Sequence, residues 1–120
     1  MSTAPTNGIA GLAAVAVDCS DPPALAAFWQ RLLGGLAEDD AHGDTMLTGG
    51  LVDVIFMRVL EPKTGKNRLH LDLRAADADA AVAFAIEAGA TKADDVYKGP
   101  RWQVMRDPEG NEFCILPPRS

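Results

Sequence analysis

A basic surplus, a long apolar run and a cysteine framework are all missing from this chain. Its 11 Lys and Arg are outnumbered by 17 Asp and Glu, giving a formal net charge of -6. Binding to nucleic acid needs a basic footprint that neutralises phosphates, and an anionic membrane surface asks for the same, so neither partner is expected. No stretch approaches the roughly 18 apolar residues of a membrane span. Met1 to Gly8 shows no basic segment followed by an apolar one, so no secretory signal is expected. Two cysteines, Cys19 and Cys114, do not make a disulfide framework, and both are expected as thiols in a cytoplasmic protein. There is no glycine-rich phosphate loop, no nucleophile-elbow serine and no close Cys/His pair of the metal-binding kind. Histidine is limited to His42, in a polar stretch, and His70.

What is present describes an ordinary folded domain. Hydrophobic residues make up 48% and charged ones 23% of 120 residues, enough to bury a core without staples. The chain also repeats itself. The offset that carries Val15 to Leu71 carries Val17 to Leu73, Asp21 to Asp77, Ala24 to Ala80, Ala27 to Ala83 and Phe28 to Phe84, and each segment then reaches a glycine, Gly34 or Gly89.

Each unit has a physical reading. Leu69, Leu71 and Leu73 alternate with His70, Asp72 and Arg74, the period of two of a strand with one buried face. Asp21 before Pro22 is an N-cap followed by proline in the first turn. Leu25, Phe28, Trp29 and Leu32 make one helical stripe, and Ala81, Phe84, Ala85 and Ala88 make the other. Short strands are expected near 36–39, 45–48 and 51–59, with Gly49-Gly50 as a hairpin turn. Their counterparts lie near 91–96, 101–106 and 112–116, where Asp107-Pro108-Glu109-Gly110-Asn111 supplies the turn. The expected fold is therefore α+β, two tandem βαβββ modules forming a curved mixed sheet around a concave cup with helices outside. All 120 residues are expected to form one domain, with module one at about 9–60, a linker at about 61–67 and module two at about 68–118. A cleft between such modules is a natural ligand site.

At this point the motifs resemble a known family. The strand leading to Asp21-Pro22, then Ala24-Leu25-Ala26-Ala27-Phe28-Trp29 and Leu32-Leu33-Gly34-Gly35, looks like the opening of a glyoxalase-like domain. Leu69 to Leu73 resembles the opening of its second module, and Trp102 to Cys114 its closing hairpin. The chain thus resembles the glyoxalase/bleomycin-resistance/extradiol-dioxygenase, or vicinal oxygen chelate, superfamily from about Leu12 to Pro117. The resemblance implies the paired-module fold, a homodimer, and in many members a divalent metal held by the first and last strands of each module. Carried over, those four places fall on Ala14, Phe56, His70 and Cys114. Only His70 keeps the expected ligand type, so no metal is favoured, and His70 with Cys114 would hold a divalent ion if one binds. The iron enzymes' two histidines and a carboxylate are not available.

His70 lies opposite the leucines and can exchange protons near neutral pH. Asp72 shares its face, about 7 Å on, as a catalytic neighbour or as a wall charge paired with Arg58 or Arg74. Phe56, Arg58, Trp102 and Cys114 complete the expected ligand-binding set with His70 and Asp72, while Trp29 is expected in the core or a subunit interface. The leading reading is a small-molecule binding protein with a degenerate metal site. An alternative is a lyase or isomerase acting on a small carbonyl compound, metal-dependent or not, with His70 as acid, base or ligand. A second alternative is a non-catalytic interaction domain.

Overall fold

The computed structural model describes residues 8 and 12–119. Residues 1–7, which fall in the segment without a leader pattern, and residues 9–11, at the expected start of module one, lie outside them. In chain order the elements are β1 (Ala14–Cys19), α1 (Pro22–Leu33), β2 (Leu36–Asp39), β3 (Thr45–Thr48), β4 (Asp53–Arg58), β5 (Leu71–Arg74), α2 (Ala78–Ala88), β6 (Thr91–Lys92), β7 (Gln103–Arg106) and β8 (Glu112–Leu116). Each half builds its own four-stranded mixed sheet, ordered β1-β4-β3-β2 and β5-β8-β7-β6. The first strand of each half runs parallel to the last, and the remaining pairs are antiparallel. The shared strand order is the repeat of the sequence in three dimensions. The two sheets are separate and do not close on one another.

Local chemistry accounts for the helix ends. Asp21 caps α1 by accepting from the Ala24 amide at 3.2 Å, and Asp77 caps α2 by accepting from the Ala80 amide at 3.1 Å. Both are the N-cap bond that satisfies an otherwise orphaned donor. Gly34 and Gly89 end the helices at φ 75 and 126, backbone that side-chain-bearing residues rarely adopt.

The helix stripes bury unequally. Leu25, Phe28 and Trp29 of α1 are buried, but α2 buries only Ala85. Phe84, expected on the stripe of α2, is 43% exposed. It lies where α1 and α2 meet, and the Arg31 guanidinium covers its ring at 5.2 Å. Leu69 is a second departure, at 88% exposed. The ladder of β5 begins only at Leu71, so Leu69 precedes the paired strand and has no sheet face to join.

One core joins the two halves on the helix side of both sheets. It contains Phe28, Trp29, Phe56, Met105, Phe113 and Ile115, with the Trp29 and Phe113 rings 4.8 Å apart in edge-on packing. The β7–β8 turn locks onto this core. Asp107 is buried and accepts from Trp29 Nε1 at 3.0 Å, from the Asn111 amide at 3.0 Å and from the Glu109 amide at 2.9 Å. The Glu109 carboxylate accepts from the amides of Ser20 and Asp21 at 2.6 and 2.8 Å. The closing hairpin of the second half is thereby tied to the β1–α1 junction of the first. Because Phe113, Ile115 and Met105 point at the helices, alternation turns Cys114 and Val104 to the opposite face. That face carries the candidate site.

Candidate ligand cleft

On the side of the second sheet away from the helices lies a cleft of about 570 Å³. Its floor is built by β5, β7 and β8, and it holds a second, smaller apolar cluster of Ala93, Val104 and Cys114, packed by Val96, Tyr97, Trp102 and Leu116. Tyr97 and Trp102 stack, with centroids 4.6 Å apart and planes 20° from parallel. They form one wall. An apolar enclosure with a few convergent polar groups is the common form of a small-molecule site.

His70, Asp72 and Cys114 supply polar groups at the floor. Asp72 and Cys114 sit directly opposite one another in the parallel β5–β8 ladder, and His70 comes two residues before Asp72. His70 Nδ1 and Asp72 Oδ1 are 3.1 Å apart, a direct hydrogen bond where the strand repeat alone suggests about 7 Å. The difference arises because His70 lies outside the ladder, so its side chain is free to lean along the strand. Donor atoms of all three residues lie within 4.8 Å of one another. Burial pushes the Cys114 thiol up to about 11, and the charge and hydrogen bond of Asp72 add to it, with Lys66 opposing. Cys114 is therefore a neutral thiol near neutral pH, not a ready nucleophile.

The remaining expected residues divide. Trp102 lines the cleft with His70, Asp72 and Cys114. Phe56 does not. It is 1% exposed within the shared core and borders a separate cleft of about 270 Å³ between the two halves, which His70 also touches. Its place on β4 follows from its parallel pairing with Val17, whose side chain packs against the same core. Arg58 lines neither cleft. It is exposed at the end of β4, where its amide donates to Asp44 at 2.9 Å. Nor does Asp72 pair with Arg58 or Arg74, since its partner is His70 and the Arg74 guanidinium donates to the Pro117 carbonyl at 2.6 Å. Tyr97 has no counterpart in the sequence reading. The cue for it was Gly99, where a Cβ would run into the Tyr97 ring.

A nearby polar network frames the floor. Glu112 is buried, accepts from the Asn67 amide at 2.7 Å, and lies 3.6 Å from Lys63 and 3.7 Å from Arg106. Burial opposes its ionisation, but the Asn67 bond and the charges of Lys63 and Lys66 outweigh it, so its carboxyl titrates below the ordinary value. Arg106 is held in turn by both Asp95 oxygens at 2.8 and 2.7 Å. These pairs fix the segment that leads into His70.

Fold and site together define a tandem βαβββ protein with a ligand-sized cleft. The chain belongs to the glyoxalase-like domain family, which matches residues 14–116. Its structure is similar to that of a glyoxalase/bleomycin resistance protein/dioxygenase family enzyme from Burkholderia phytofirmans PsJN, at 24% identity and a TM-score of 0.72, covering 90% of this chain and 98% of that one. It is also similar to a mutant of the fosfomycin resistance protein FosX from Listeria monocytogenes complexed with Mn(II) and a dihydroxypropylphosphonic acid, at 13% identity and a TM-score of 0.71, covering 90% of each chain. A glyoxalase-related enzyme from Fulvimarina pelagi matches at 12% identity and a TM-score of 0.67, with 91% of this chain and 88% of that one covered. No curated protein matches the chain by sequence. Among the described residues no helix is long and apolar enough to cross a membrane.

The metal set that the family resemblance implies does not fit these residues. Of the two places in the first half, Ala14 has no donor atom and Phe56 is a ring buried in the core. A metal drawing ligands from both halves has nothing to hold it on one side.

Proposed function

We propose that the chain is a small-molecule binding protein of the glyoxalase-like class, acting in the cytoplasm, with its ligand held in the cleft of the second half. The observation that carries this reading is the cleft itself, about 570 Å³, within the roughly 300–1,000 Å³ typical of ligand sites. The Tyr97–Trp102 stack offers a flat aromatic wall, suited to a planar or cationic ligand. His70 and Asp72 would fix the ligand's polar end.

A screen of planar and cationic compounds by tryptophan fluorescence tests the proposal. Trp29 is buried in the core, so quenching by a bound compound is expected to come from Trp102 and to vanish in Trp102→Phe. Compounds that bind equally well to Trp102→Phe and to His70→Ala would contradict it, as would a screen with no binder. The His70–Asp72 bond also favours a second reading of the same cleft, acid–base chemistry on a small carbonyl compound, with Asp72 orienting the imidazole. An unchanged rate in His70→Ala would exclude that role.

A further inference from the structure

We infer that the compound taken up by the second-half cleft is a planar aromatic carboxylate, with its ring against the Tyr97–Trp102 wall and its acid group on the Arg74 guanidinium. The inference rests on the cleft reading and narrows it. The stacked wall by itself admits a planar or a cationic group, and the charges around it decide between them. The basic side chains lining the cleft are Lys66, Arg74 and Arg101, and the acidic ones are Asp72 and Glu112.

Both acids already have partners. Asp72 is bonded to His70 at 3.1 Å. Glu112 is met by Lys63 at 3.6 Å and by Arg106 at 3.7 Å, neither of which lines the cleft, and the charge of Lys66 acts on the same carboxylate. Arg74 and Arg101 remain. Among the described residues no carboxylate forms an ion pair with either, whereas Arg31 and Arg106 both have acidic partners. A cationic ligand would meet this unopposed positive charge, and an anionic one would neutralise it.

Sheet register puts Arg74 within reach of a ring on the wall. Arg74 lies opposite Leu116 in the β5–β8 ladder, and Gln103 lies opposite Ile115 in the β7–β8 ladder. The same register, continued by one residue, sets Trp102 across from Leu116 on its other side. Arg74 and Trp102 thus flank Leu116 with their backbones about 10 Å apart, two strand spacings. Alternation gives Arg74 the cleft face that Asp72 also occupies. The guanidinium is held in place, because its Nη1 donates to the Pro117 carbonyl at 2.6 Å. That bond uses one of its five N–H donors, and the rest of the planar fork matches a carboxylate. Arg101, next to Trp102 in the chain, adds a second positive charge at this end. It is exposed and also borders a groove beside α2, so it attracts the acid group while Arg74 anchors it.

The test is calorimetric titration of the full-length protein with three compounds of one shape: naphthoate, its neutral amide and naphthylmethylammonium. The acid is expected to bind roughly 10–100-fold more tightly than the amide, the worth of a charge-assisted hydrogen bond, and the cation more weakly than the amide. The preference for the acid should shrink in high salt. Arg74→Gln should erase it and Arg101→Gln should reduce it. Both arginines are exposed. Circular dichroism shows whether each variant is folded, and Arg101→Gln keeps the test decisive if Arg74→Gln is not. Trp102→Phe should weaken the acid and the amide alike. Equal affinity for acid and amide, or a preference that survives both arginine variants, would overturn the inference. If such binding is still weakened in Trp102→Phe, the cleft reading stands without it. A naphthylphosphonate that binds more tightly than the acid would overturn the choice of a carboxylate. Acid binding lost in Arg74→Gln but indifferent to Trp102→Phe would overturn the aromatic wall, and the cleft reading with it. Binding by none of the three would overturn the inference, and the cleft reading falls as well only if the wider screen is empty.

Discussion

Asp107 shows how much a single side chain can organise. Buried at 4% exposure, it accepts from Trp29 Nε1, from two turn amides and from the Asn111 side chain. Removing it leaves a buried indole N–H and turn amides without partners, and each buried orphan costs about 1–3 kcal/mol. Asp107→Ala is therefore expected to destabilise the fold by about 3 kcal/mol or more. Asp107→Asn keeps part of the acceptor capacity and should cost less. Urea unfolding of the two variants checks the order, and equal losses would show that the bonds to Asp107 do not set the cost. The sequence made part of this legible. Asp-Pro-Glu-Gly-Asn reads as a turn from its own chemistry, but the Trp29 bond spans distant segments and no local pattern signals it. The His70–Asp72 bond was hidden for a similar reason, because strand periodicity predicts a spacing and not where the ladder starts. Phe56 shows a different limit. Its apolar character fits a pocket wall and a core equally, and it serves as both, buried in the shared core and bordering the smaller cleft.

At the scale of elements the legible features were those with local causes. Both helix caps, both glycine stops and the order of strands were apparent because each depends on neighbouring residues. The loop between β6 and β7 was not. Strand was expected at 91–96, yet β6 ends at Lys92, and the chain turns with the Val96 amide donating to the Ala93 carbonyl at 3.0 Å. This turn brings Tyr97 onto Trp102 and makes the cleft wall. Gly99 permits it, since a Cβ there would run into the Tyr97 ring. Gly99→Ala should displace Tyr97 and weaken ligand binding about tenfold, the equivalent of one lost aromatic contact of roughly 1.4 kcal/mol. Its melting temperature should stay close to that of the parent, because the loop is outside the shared core. Unchanged affinity in Gly99→Ala would remove the stacked pair from the binding account.

The whole molecule is more extended than a compact domain of its length. The radius of gyration is 15.4 Å, against about 13.6 Å for a compact domain of this length. The two sheets stay open, with β1 and β5 at their edges, and Leu51, Leu60 and Leu69 are largely exposed. Unpaired edges and exposed apolar side chains are what a second copy would cover. We therefore propose a homodimer, for which light scattering should give twice the 12.7 kDa chain mass. A monomer at high micromolar concentration would exclude it. The repeat and the family were both carried by the sequence, and the shared sheet order, β1-β4-β3-β2 and β5-β8-β7-β6, is their counterpart in the structure. The second half brings His70, Asp72, Cys114, Tyr97 and Trp102 to one cleft; all but Tyr97 were candidates from the sequence, and what the sequence did not show is that Phe56 and Arg58 of the first half stay out of it.

Ligands are expected to bind in the second-half cleft, and amide NMR of the labelled protein with a quenching compound tests this most directly. Shifts are expected to cluster at Asp72, Tyr97, Trp102, Val104 and Cys114. Shifts gathered instead at Val17, Leu33 and Phe56, around the smaller cleft between the halves, would contradict the claim.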